Sequence, residues 1–145
     1  MYKKILVALE NSVADQTLLP HITELAKFHK SHLFLVHVAD GWVARHYDDM
    51  LLNESEEMIK DRQYLKETAE NLKLTGLEVS THLALGDPPK EILTLAEKES
   101  CDLIAMTSHG HRFFADIFYG STIEEVRHES LIPLLIVKWS KKTQD

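Results

Sequence analysis

Short apolar runs recur along this chain, and a segment of helical period follows each of the first four. No other feature constrains the fold as much. The order it predicts is β-α-β-α-β-α-β-α-β, and such alternation calls for a mostly parallel sheet with helices on both faces. Parallel strands need crossovers, and these should be right-handed.

The first run, residues 3–9, holds Ile5, Leu6, Val7, Ala8 and Leu9. A near-continuous apolar run fits a strand buried on both faces. Glu10, Asn11 and Ser12 end it, and Asn11 or Ser12 suits the N-cap of the next helix. Over residues 13–30, Leu18, Ile22, Leu25 and Ala26 recur at helical spacing, while Pro20 predicts a late start or bent first turns. Residues 32–38 form the second strand, in which His37 is expected to pack in the sheet rather than act as a base. Residues 39–53 have no clean period and are expected to be a mobile connection. Leu51, Met58, Leu65 and Leu72 then repeat every seven residues, with Ala69 between them. They mark one face of a helix over about 53–74, ended by Gly76. Alternation over 77–83 predicts a strand with one wet face, hence an edge. Gly86, Asp87, Pro88 and Pro89 signal a helix start, with Asp87 as cap and Pro88 in the first turn. Residues 101–106 give the fourth strand. Residues 131–139 give the fifth, with Pro133 near its start.

At 145 residues, one domain over 1–140 is expected, with a polar tail over 141–145. A hydrophobic share of 44% argues against extensive disorder. The net charge of -7 should repel nucleic acid and anionic membranes. Any anion site must then be made by backbone amides. The single cysteine, Cys101, permits no internal disulfide, and its apolar neighbours suggest a buried thiol in a reducing compartment. The first apolar run stops at Glu10, too soon for a signal-peptide core, and no segment reaches the roughly 20 apolar residues of a membrane span. These features predict a cytoplasmic protein.

Residues 107–122 are where chemistry rather than packing is written. They join the fourth strand to a short helix expected over 123–129. Gly110 lies in the loop, and Gly120, Ser121 and Thr122 lie at the expected helix mouth. Helix N-termini expose amides that favour anions, and a neighbouring glycine allows close approach. In sheets of this kind ligands bind beyond the carboxyl ends of the strands, where strand order reverses. With the first strand central and the fourth beside it, that crevice is lined by residues 10–12, 38–40 and 106–110. The plainer reading leaves Gly110 and Gly120 as loop and cap glycines, and Glu10 as a solvated strand end. His109 and His111 lack the third and fourth ligands of a closed metal site, so no metal residue is assigned. Phe113, Phe114, Ile117, Phe118 and Tyr119 form either a flap over the core or a partner surface. No catalytic residue is assigned. There is no nucleophile–base order and no Gly-Lys-Ser/Thr phosphate loop, so hydrolysis of a bound nucleotide would be slow at best.

Along its whole length the chain resembles the single-domain universal stress proteins. The likeness rests on the opening Lys-Ile-Leu-Val-Ala strand, His37 and Val38, Gly86-Asp87-Pro88, Cys101-Asp102-Leu103-Ile104, and residues 107–122. The nucleotide-binding branch of that family carries Gly, two residues, Gly, nine residues, then Gly and Ser or Thr. Here the positions are Thr107, Gly110, Gly120 and Ser121. The resemblance implies a five-stranded parallel sheet between four helices, Rossmann-like, with strand order 3-2-1-4-5. It implies ATP as ligand, with Mg2+ or Mn2+ at the phosphates, and a homodimer formed through residues 134–139. Carried over, the backbone around Val38 would meet adenine, and Glu10, beside Asn11 and Ser12, would meet ribose or metal. Met106, Thr107 and Gly110 would line ribose and phosphates, and Gly120, Ser121 and Thr122 would hold phosphates. The chain departs from the pattern twice, with Glu10 for Asp and Thr107 for the first Gly. If that glycine serves a positive φ, Thr is disfavoured. If the position is extended, Thr fits, and its hydroxyl can donate to a phosphate. The implied role is a nucleotide-dependent regulator in the stress response. The alternatives are a dimeric interaction protein without nucleotide and, less favoured, a weak ATPase.

Overall fold

Strand β1 (Lys4–Ala8) lies at the centre of the sheet, and its Ile5, Leu6 and Val7 are wholly buried. The computed structural model describes residues 1–39, 56–108 and 116–139, the stretch 116–121 from its backbone alone. Strand β1 pairs in parallel with β2 (His32–Ala39) on one side and with β4 (Leu103–Ser108) on the other. Strands β3 (Glu78–Leu85) and β5 (Leu134–Lys138) form the edges, so the order is β3-β2-β1-β4-β5. All four pairings are parallel. The joining helices are α1 (Asp15–His29), α2 (Glu56–Lys73), α3 (Pro88–Lys98) and α4 (Asp116–Glu129).

The pleat sends alternate strand residues to opposite faces, and two cores result. Ile5, Val7, Leu33, Leu35 and Ala105 face Leu18, Ile22, Leu65 and Ala69 of α1 and α2. Leu6, Phe34, Val36, Ile104 and Met106 face Ile92, Ala96 and Val126 of α3 and α4. Both sides of β1 are therefore dry, which is why its sequence does not alternate. The change of face falls between β1 and β4: α1 leaves β1 on one side, and α4 leaves β4 on the other.

Several local expectations shift. Helix α1 starts at Asp15 rather than 13, and neither Asn11 nor Ser12 is its N-cap; Ala14 holds that position without a side-chain cap bond. Asn11 takes a left-handed conformation (φ 57°) that uses one more turn before the helix. Ser12 Oγ accepts the Ala14 N–H at 3.2 Å within that turn. Pro20 sits inside α1, while Leu18, Ile22 and Ala26 form its buried stripe. Asp87 does occupy the N-cap of α3, but its side chain makes no cap bond. Proline in the first turn already removes an orphan donor, which leaves less to cap. The expected edge positions of β3 and β5 hold. Strand β3 starts one residue later than expected and runs on to Leu85, where Ala84 is buried in the second core. Trp42, in the expected connection, lies outside the described residues, as does the 141–145 tail.

Candidate functional site

The crevice at the carboxyl ends of β1 and β4 follows from the change of face between them. Glu10, Asn11 and Ser12 leave the end of β1; Glu10 is half-buried, and the other two are exposed. Val38 and Met106 lie near the ends of β2 and β4, but both side chains are buried in the α3–α4 core. Only their backbone can meet a ligand. The structure thus brings together the residues expected at three strand ends.

Thr107 resolves the alternatives set by its sequence. It lies within β4, paired with Val137 of β5, and is not among the residues with positive φ. The position is extended, so a β-branched residue fits it well. Its side chain is 3% exposed, and its Oγ1 has no hydrogen-bond partner among the described residues. A buried hydroxyl without a partner is unusual and costs about 1–3 kcal/mol.

The loop after β1 is built in the opposite way. The Asp15 carboxylate accepts the Glu10 N–H at 3.0 Å on Oδ1 and the Asn11 N–H at 2.8 Å on Oδ2. The Tyr64 hydroxyl donates to the same Oδ2 at 2.6 Å. Asn11 Nδ2 donates to Asp61 Oδ1 at 2.8 Å. The other Asp61 oxygen lies 3.4 Å from His37 Nε2. His37 is buried, and its Nδ1–H donates to the Leu9 carbonyl at 2.8 Å. As expected, His37 is a sheet histidine.

Burial raises the Asp15 carboxyl above its ordinary value; bonds from the Glu10 amide, the Tyr64 hydroxyl and the Asn11 amide oppose that rise without cancelling it. Burial, with the neighbouring Asp15 charge, raises the Tyr64 hydroxyl far above its ordinary value, so Tyr64 remains a donor. Asp15, Asp61 and Tyr64 were not legible as site residues. One signal was available: Asp15 falls on the same helical stripe as Leu18 and Ile22, where an acidic residue is out of place.

The expected helix mouth at Gly120 is corrected. Helix α4 begins at Asp116, so Gly120, Ser121 and Thr122 lie in its second turn, where amides bond back along the helix. An acidic residue suits the positive end of a helix, and residues 117–119 contain no Gly or Pro to delay its start. Thr122 is buried. Gly110, His109, His111, Phe113 and Phe114 lie outside the described residues. Among the described residues no cluster of His, Cys, Asp and Glu could hold a metal ion, and no helix is long and apolar enough to cross a membrane. Cys101 is buried, and burial pushes its thiol up to about 11.

A parallel 3-2-1-4-5 sheet with its crevice over the two central strand ends is a Rossmann-like, doubly wound α/β fold. The model of the universal stress protein family matches residues 1–138, and the chain belongs to that family. Universal stress protein MJ0577 of Methanocaldococcus jannaschii is 31% identical over 155 aligned residues, covering 95% of this chain and 96% of that protein. The solved structure of MJ0577 superposes with a TM-score of 0.77 at 28% identity, covering 97% of this chain and 99% of that one. A universal stress protein of Archaeoglobus fulgidus, solved in complex with dAMP, gives a TM-score of 0.69 at 21% identity over 94% of this chain and 98% of that one. This last likeness is one of fold.

Proposed function

We propose that the crevice over β1 and β4 binds ATP or a related adenine nucleotide, and that the protein acts in the stress response as a nucleotide-dependent regulator. The observation that carries this reading is the Thr107 hydroxyl, buried near the end of β4 with no partner among the described residues. A ligand oxygen in the crevice would satisfy it and offset its desolvation. Two proteins of this fold support an adenine ligand, one solved with dAMP and one with cAMP.

In this reading the backbone at Val38 meets adenine, and the Glu10 carboxylate meets ribose or a divalent ion. Met106 backbone and Thr107 line the ribose and phosphates. Gly110, Gly120, Ser121 and Thr122 remain the phosphate positions that the family pattern implies. The nucleotide is a ligand that sets conformation or partner choice. Without a positioned base or a phosphate-clamping lysine in the motif, turnover is slow or absent. The half-exposed edge strand β5, with Ile136 37% exposed, supports a homodimer through strand pairing.

Equilibrium titration with Mg2+ and ATP tests the reading. Saturable binding is expected, and Gly120→Val should weaken it at least tenfold by placing a branched side chain at the phosphate position. No saturable binding up to millimolar ATP overturns it and leaves the dimeric interaction protein as the better account.

A further inference from the structure

Two hydrogen-bonded rungs run from one face of α2 to the loop after β1. In the first, Tyr64 donates to Asp15, whose carboxylate also holds the Glu10 and Asn11 amides. In the second, Asp61 accepts from the Asn11 side chain and faces His37, which in turn donates to Leu9. Asp61 and Tyr64 are three residues apart on a helix, so they share a face. The loop is thus fixed from β2, α1 and α2 at once.

This arrangement has a chemical consequence. The Glu10 and Asn11 amides point into the protein and are taken by Asp15, so they are not available to a phosphate. What Glu10 and Asn11 offer a ligand is limited to their side chains and carbonyls, and their placement depends on the left-handed turn at Asn11. Asn tolerates that conformation better than most residues, but it still has to be held there.

We propose that Asp15 and Tyr64 are positioning residues for the ligand site. They touch no ligand. They hold the Asn11 turn, and with it Glu10, where a nucleotide meets the end of β1. The proposal rests on the adenine-nucleotide reading above. It also means that the ligand-facing loop is coupled to α2: a displacement of α2 relative to α1 breaks the Tyr64 bond and releases the loop.

Tyr64→Phe is the cleanest variant. The ring packs against the α1–α2 core and is retained, while the hydroxyl is lost, and with it the bond to Asp15 and the one from Thr68. Asp15→Asn is the second; it keeps the side-chain size but sets an amide group against the donors that the carboxylate accepts. Full-length protein is compared by amide hydrogen exchange at Glu10 and Asn11, by Mg2+–ATP titration and by thermal melting. In Tyr64→Phe, exchange at those two amides should rise about tenfold, the scale of one lost hydrogen bond to a charged group. Exchange within β1 should stay unchanged, and ATP affinity should fall about fivefold to tenfold. A merely structural role would move the melting temperature and β1 exchange together and leave affinity alone. Unchanged exchange at Glu10 and Asn11 in both variants overturns the latch. Faster exchange with unaltered ATP affinity overturns its positioning role. If the unaltered protein binds no ATP, the nucleotide reading fails instead, and the exchange comparison still decides whether Asp15 and Tyr64 hold the loop.

Discussion

The ends of β1 and β4 lie side by side in the sheet, yet they are finished in opposite ways. At the end of β1 the backbone donors of Glu10 and Asn11 and the side chains of Asn11, Asp15, His37, Asp61 and Tyr64 all have protein partners. At the end of β4 the buried hydroxyl of Thr107 has none among the described residues. One side of the crevice is complete without a ligand, and under the proposed function the other is completed by one. Substitutions on the β1 side should therefore register in stability as well as in binding, and those on the β4 side in binding alone.

The largest effect should come from removing the carboxylate at the centre of the complete side. Asp15→Ala leaves two loop amides and the Tyr64 hydroxyl without their acceptor in a site that is 1% exposed. A loss of about 3 kcal/mol in urea unfolding is expected, given about 1–3 kcal/mol per unsatisfied buried group and partial relaxation. A loss under about 0.5 kcal/mol would mean that water replaces the carboxylate at no cost, and the contrast between the two ends would fail.

On the other side, Thr107→Val keeps the shape and removes the hydroxyl. Stability without ligand should stay level or rise, because a buried unpaired group is gone. ATP affinity should fall about tenfold, the equivalent of about 1.4 kcal/mol. Unchanged affinity would show that Thr107 does not face the ligand, and a clear loss of stability would show that its hydroxyl already has a partner.

The smallest effect is a dependence on pH. Burial raises the Asp15 carboxyl above its ordinary value of 3.8 despite the bonds it accepts. Between 3.8 and the raised value the folded chain binds more protons at this group than the unfolded chain does. The group's contribution is therefore full below that window and declines as pH rises through it. Asp15→Asn has no proton to exchange there. The stability of the natural protein minus that of the variant should fall as pH rises across the window, then level off. Paired urea titrations from about pH 4 to pH 7 would detect this. A difference that grows with pH would mean that the hydrogen bonds outweigh burial.

The fold was legible because packing writes itself into sequence. A strand that is dry on both faces cannot alternate, so Ile5, Leu6 and Val7 gave β1 away, and Leu65, Ala69 and Leu72 gave the inner face of α2. The strand order came from the family resemblance, since periodicity alone does not say which strand is central. The site was legible only in part. Thr107 was found by its place in a motif, but its extended backbone had to be seen before its departure from glycine made sense. Asp15 and Tyr64 are 49 residues apart, and no local rule links a helix-start aspartate to a tyrosine on another helix. The early start of α4 was missed because glycine at 120 looked like a boundary, whereas helix interiors accept one at a cost of about 1 kcal/mol.

The central place of β1 also sets an order of events in the making of the chain. Its partner on one side, β2, follows after a single helix, whereas β4, which covers its other side, comes only when synthesis reaches Leu103. Until then, Ile5, Leu6 and Val7 present an open edge to the ribosome's surroundings, and such edges recruit other strands. Closure is then fastened at the opposite end of the sheet from the crevice, where Asp102 accepts the Lys3 and Lys4 amides and Lys4 pairs with Glu99 at 2.7 Å. A chain truncated before residue 103 should aggregate rather than persist as a folded half, and refolding of the full chain should wait on this one long-range pairing.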